Sequence, residues 1–157
     1  MNRFIHKHKQ GGTAAVELAI VLPFLLLMML AIGELGRAIL QYNELTKSTR
    51  DAARYLANHA IHGSLDLIDI DAKPTLKAET QNLVVYGSTG AGTTPVLPGL
   101  STADVSVIAH VDTQHVRVDV DYDYVPMLGG ITMPMFGLGP TFNIAIPLRA
   151  SVAMRAL

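Results

Sequence analysis

The sequence predicts an α+β fold: a long N-terminal helix, membrane-inserted at its start, packed on a small antiparallel β-sheet. Three observations predict it. From Leu18 to Gly33 no side chain is charged, a run of roughly 16 residues that Thr13 to Val16 lengthen to about 20, enough for a helix to cross about 30 Å of hydrocarbon. Beyond that run, Leu35, Ile39, Tyr42, Leu45, Thr49, Ala52 and Leu56 recur at steps of three and four, the period of an amphipathic helix. Later the period changes to two: Val116, Val118, Val120, Tyr122 and Tyr124 alternate with Arg117, Asp119, Asp121 and Asp123, the pattern of a half-buried strand.

Composition bounds the function classes. The chain has 157 residues, enough for one domain plus an anchor. Hydrophobic residues make up 50%, and the excess sits in the N-terminal run. A net charge of −1 offers no electrostatic case for a nucleic-acid partner. The absence of cysteine excludes disulfides and thiolate metal sites, so the domain must hold together by core packing or by its neighbours in an assembly.

Residues 1–12 form a short basic leader with Arg3, Lys7 and Lys9 and no acid. Positive charge beside a first span predicts that this end stays cytoplasmic, which places the rest in the periplasm of a Gram-negative cell. His6 and His8 alternate in a polar tail and do not by themselves make a metal site. Residues 13–34 are the expected transmembrane part of the helix, 35–62 its amphipathic continuation, and 63–157 a small β-rich domain. Glu17 is the exception inside the span. A carboxylate at midplane costs roughly 2.5–3.5 kcal/mol on insertion scales, and Glu17 lies only about 6 Å of helical rise beyond Thr13, near the interface. One reading is a carboxylate snorkelling to the headgroups. The sharper one supposes a cut after Gly12, which gives Thr13 a free α-amine of reference pKa about 7.7–8.0. Glu17 then lies four residues along on the same face, in the first turn, able to neutralise an amine of its own chain or a neighbour's. Pro23 removes a hydrogen bond inside the helix and predicts a kink. A secretory signal peptide cut near Ala31-Ile32-Gly33 competes, but the apolar run is long for one and Glu17 interrupts its leading edge. An uncleaved single-pass anchor is the stronger rival.

The run Gly12-Thr13-Ala14-Ala15-Val16-Glu17 before an apolar helix resembles the prepilin-peptidase signature of type IV pilins and pseudopilins. The longer text resembles the TadE-like family: Gly11 through Glu17-Leu18-Ala19-Ile20-Val21-Leu22-Pro23, then Glu34-Leu35-Gly36-Arg37 and Arg50-Asp51-Ala52-Ala53-Arg54-Tyr55. Those proteins are minor pilins or pseudopilins of the Tad (tight adherence, Flp pilus) system. Tyr122-Asp123-Tyr124-Val125-Pro126 and the segment Leu148 to Arg155 are similar to that family's closing strands. The resemblance implies processing by prepilin peptidase after Gly12 and a charge-pairing role for Glu17. It implies other Tad pilins or pseudopilins, the inner-membrane assembly platform and the lipid bilayer as partners. The subunit would reside in the inner membrane, or in an extracellular pilus that it initiates, caps or supports. The alternative of a different class is an uncleaved, membrane-anchored periplasmic binding or scaffold module, for which Gly12 and Glu17 are incidental.

Gly33 and Gly36 weaken the helix by about 1 kcal/mol each relative to alanine. The helix is expected to stop near Gly63, with His59 and His62 in its last turn, where a favourable dipole contact explains them better than a metal. Leu65 to Thr80 is ambiguous, and Lys73-Pro74 is expected to break any regular element. Leu83-Val84-Val85-Tyr86 suggests a strand, and Gly87 to Ser101 an exposed loop suited to contacts. Val105 to Val111 suggests a strand that pairs, through a turn at Asp112-Thr113-Gln114, with the alternating strand that follows. The connection Pro126 to Pro140 is apolar for a loop, and Met127 to Pro140 is expected to touch membrane, a partner or its own core. A last strand runs from Phe142 to Met154, with Pro147 marking an edge or bulge.

No catalytic constellation stands out, and the chain is expected to be neither an enzyme nor a cofactor carrier. Asp119, Asp121 and Asp123 form a row about 7 Å apart on one strand face. Calcium ligation needs a turn that wraps ligands around the ion, so a solvated face is the better reading. His110 and His115 could face Asp112 across the turn as a generic polar cluster.

Overall fold

A helix without a strong breaker after Pro23 should run on until its apolar stripe ends, and it does. In the computed structural model, which describes residues 11–62, 67–68, 73–110, 114–126 and 147–156, α1 runs from Gly11 to His59, 49 residues, with Pro23 inside it. It continues through Gly33 and Gly36, whose helical cost is small against a helix of this length. The chain forms two units, Met1–Arg37 and Ala38–Leu157. Among the described residues the first unit is helix alone, and residues 12–33 are exposed on every side.

The second unit begins with the C-terminal part of α1. It buries Ala38, Gln41, Leu45, Thr49, Ala52 and Leu56, again at steps of three and four, and Ala60 just past its end is buried too. The expected stripe is right from Leu45 onward and wrong before it: Leu35, Ile39 and Tyr42 are exposed, and Ala38 and Gln41 take the inward positions. Gln41 is tolerated there because its Oε1 lies 3.3 Å from the buried Tyr122 hydroxyl, as the weaker of two acceptors sharing that one proton with the Pro98 carbonyl.

Three local expectations need correction. First, α1 ends at His59, and His62 lies in β1 (Ile61–His62), which pairs antiparallel with β2 (Leu67–Ile68). Only His59 occupies the last turn, and its Nδ1–H donates to the Tyr55 carbonyl at 2.8 Å. Second, Leu83 to Tyr86 is no strand but the end of α2, Pro74–Tyr86. The β-branched pair Val84-Val85 suggested β structure, yet Leu76, Thr80 and Val84 fall four apart and all are buried. Pro74 starts this helix rather than breaking it, since proline at the first helical position gives up a donor that would be unsatisfied anyway. Gly87 ends it at φ 70, its N–H bonded to the Leu83 carbonyl. Third, the loop from Gly87 to Ser101 is exposed only in part. Leu97 and Leu100 are buried, the Val96 N–H bonds the Val85 carbonyl at 2.7 Å, and Tyr122 donates to the Pro98 carbonyl at 2.8 Å.

After a 3-10 turn at Thr102–Asp104 the chain enters an antiparallel sheet of order β3-β4-β5, with β3 Val105–His110, β4 His115–Asp123 and β5 Pro147–Arg155. The hairpin register sets Val105 against Val120 and His110 against His115. β5 pairs with the far side of β4, Val116 against Met154 and Asp123 against Pro147. Pro147 opens β5, a place where its missing N–H is cheap. Val116, Val118, Val120 and Tyr122 are buried as the alternation demands, and they close the core with Leu45, Leu56, Val84 and Val85. Phe142 to Ile146, the connection Met127 to Pro140, Gly63, and Asp112 and Thr113 of the turn lie outside the described residues.

Candidate functional site

The site the sequence singles out is the first part of α1. Gly12 and Thr13 lie within the helix, the second and third of its residues, and Glu17 is four positions beyond Thr13 on the same face. Because α1 already begins at Gly11, its first turn contains no acid, and Glu17 belongs to the second turn. The first-turn dipole argument therefore weakens in the uncut chain, since the effect falls off within a turn. Gly11 and Gly12 each hold helix about 1 kcal/mol less well than alanine.

From Val16 to Ile32 the helix exposes Val16, Leu18, Ile20, Leu22, Phe24, Leu26, Met28, Met29 and Ile32, among others. None of the most apolar window is covered by the protein itself. Apolar side chains around a full helical circumference, unlike a single stripe, are what a membrane span shows and a surface helix does not. Pro23 sits mid-way through this stretch without ending the helix.

Residues 12–54 match the family model described as TadE-like protein. This segment is TadE-like. No curated protein matches the chain, and no solved structure does. The TadE-like segment contains Gly12, Thr13, Glu17 and Pro23 and ends within α1, so the likeness seen in the closing strands lies outside the matched residues. The family is that of Tad pilus-associated, pilin-like proteins, which are structural rather than enzymatic.

The remaining sequence-marked residues sit in the second unit. Asp119 is paired with Arg117 Nε at 2.9 Å, and that same Nε donates to Ser151 Oγ at 3.1 Å. Asp121 is paired with Arg149 Nε at 2.7 Å. Two of the three carboxylates thus face guanidinium groups on an exposed sheet face. No group of metal-binding side chains occurs among the described residues. His110 and His115 are directly paired across the hairpin.

Two polar connections carried no sequence signal. Tyr55 donates to Glu79 Oε2 at 2.9 Å, joining α1 to α2 across 24 residues. Gln81 Nε2 donates to the carbonyls of Val105 at 3.0 Å and Thr102 at 3.3 Å, fixing α2 to the start of β3. Both are long-range pairs of ordinary polar residues, which no local spacing marks.

Proposed function

We propose that this chain is a minor pilin or pseudopilin of a Tad (Flp) pilus. Prepilin peptidase cuts it after Gly12, and it assembles through the first part of α1 to initiate, cap or support the filament. The observation that carries this reading is the TadE-like segment coinciding with a helix whose apolar side chains the protein leaves uncovered. Such a helix suits two environments in turn, the inner membrane before assembly and a bundle of like helices after it. The soluble unit stays in the periplasm, and the working partners are other Tad pilins, the peptidase and the assembly platform.

Glu17 has a defined task in this mechanism. Cleavage creates an amine at Thr13, and an amine taken into a low-dielectric bundle must be paired or lose its charge. Glu17 pairs it, on its own helix or on a neighbour's. Glu17→Ala is expected to leave the second unit folded and to reduce filament incorporation sharply. Incorporation equal to wild type would remove the charge-pairing role.

The deciding experiment is the intact mass of the membrane-extracted protein from cells with and without the prepilin peptidase. A product that begins at Thr13 and depends on the peptidase supports the proposal. A full-length product in both strains points instead to an uncleaved, membrane-anchored binding or scaffold module.

A further inference from the structure

Hydrolysis after Gly12 adds water at the Gly12 carbonyl carbon and breaks its bond to the Thr13 nitrogen, leaving a carboxylate and an amine. In α1 that carbonyl is already engaged. Gly11, Gly12 and Thr13 are all helical, so the Gly11 carbonyl accepts from the Ala15 N–H and the Gly12 carbonyl from the Val16 N–H. A peptidase that binds its substrate extended must first undo this turn. Cleavage of a transiently opened segment follows the population of the open state when opening and closing are fast.

Three observations bear on that opening. Gly12 to Val16 are exposed, so among the described residues no packing holds the turn shut. The fold does not require glycine at Gly12: its backbone is helical, and a Cβ there would meet nothing within 4 Å. Yet two adjacent glycines, the residues that lose most freedom in a helix, precede the bond. A second helix start lies just beyond them. Thr13 is of the type preferred as an N-cap, and a helix capped by Thr13 has Glu17 as its fourth residue, in the first turn, where the dipole favours an acid. We propose that α1 has two N-terminal states, one helical from Gly11 and one capped at Thr13, and that the peptidase acts on the second. Gly11 sets the balance, because it is helical in the first state only. The capped state frees the Gly11 and Gly12 carbonyls and leaves the apolar helix from Ala14 onward intact.

The inference rests on cleavage after Gly12, and the test separates the two claims. Full-length wild type, Gly11→Ala and Gly11→Val, in phospholipid vesicles, would be cut by purified prepilin peptidase, with kcat/KM read from the intact mass of the product. Alanine is the best helix former and valine a poorer one, although valine is larger. Wild type should be cut fastest, Gly11→Ala about two- to five-fold more slowly, and Gly11→Val faster than Gly11→Ala. A Gly11→Val protein cut more slowly than Gly11→Ala would follow side-chain size and overturn the inference in favour of a pocket on the peptidase. Three equal rates would overturn it and leave cleavage after Gly12 intact. Wild type that is not cut would remove that cleavage and the inference with it. Without peptidase, the Ala15 and Val16 amides should exchange faster in wild type than in Gly11→Ala. Equal exchange in the two proteins would overturn the two-state helix start whatever the cleavage rates.

Discussion

Tyr55 shows how much one side chain holds in the second unit. Its hydroxyl donates to Glu79 Oε2 at 2.9 Å, and its ring centroid lies 4.3 Å from that of His59. The hydrogen bond to Glu79 keeps the proton on the phenol, and burial and the carboxylate's charge add to it, so the Tyr55 pKa is raised above its ordinary 10.0. The fold thus favours protonated Tyr55. Its contribution is complete below the ordinary tyrosine pKa and is lost as pH climbs through the raised folded value. Tyr55→Phe should cost about 0.5–1.5 kcal/mol in denaturant unfolding near neutral pH, and that difference should shrink at strongly alkaline pH. An unfolding midpoint equal to wild type at both pH values would mean that the bond contributes nothing. Gly92 is a second residue whose role is local. A Cβ there would lie 2.9 Å from the Tyr86 Cβ and Cγ, closer than real contacts allow. Gly92→Ala should therefore push the exposed half of the loop away from α2, with faster amide exchange from Gly87 to Thr94 as the readout and the sheet unaffected.

At the level of elements, α2 is the instructive case. Its signals were all in the sequence: Pro74 at the start, Gly87 at the end, and Leu76, Thr80 and Val84 four apart. They were obscured because Thr80 is polar and Val84-Val85 is a β-branched pair, so propensity pointed one way and periodicity the other. Burial decided in favour of periodicity, with the Thr80 hydroxyl satisfied by the Leu76 carbonyl at 2.7 Å. The β4 alternation was legible because one face is buried and the other charged, while the two long-range polar ties were not, having no local pattern. The same logic explains the error in α1. Leu35, Ile39 and Tyr42 are as apolar as core residues, and nothing in the sequence says that the domain covers Ala38 and Gln41 instead. Two substitutions test these elements by thermal or denaturant unfolding. Gly87→Ala forces a Cβ into the left-handed region at φ 70 and should cost about 1–2 kcal/mol. Leu56→Ala, in the fully buried part of α1, should cost about 2–5 kcal/mol through lost burial and a cavity. Values near zero would mean that α2 does not end at a strained cap, or that α1 does not carry the core.

On the scale of the whole molecule, the two units answer to different solvents. The core of the second unit, from Leu45 and Leu56 to Val118 and Tyr122, is built as in any small water-soluble domain. The first unit contributes nothing to that core among the described residues, and its side chains from Val16 to Ile32 are exposed. Such a helix must find hydrocarbon or other helices, because leaving it in water forfeits about 25 cal/mol for every Å² of apolar surface. A charge placed in its middle should therefore damage insertion while sparing the fold. Leu27 is 44% exposed and fills no cavity, so Leu27→Arg removes no core contact. At the centre of a span it should cost about 2.5–3.5 kcal/mol, roughly two orders of magnitude in the insertion equilibrium. The carbonate-resistant membrane fraction should fall accordingly, while the protease-resistant core of the second unit keeps its wild-type pattern. Equal membrane recovery for Leu27→Arg and wild type would show that α1 is not held by hydrocarbon. Loss of the protease-resistant core together with insertion would show that the second unit needs the membrane to fold. Membrane recovery that falls alone is the result that two independently satisfied units require.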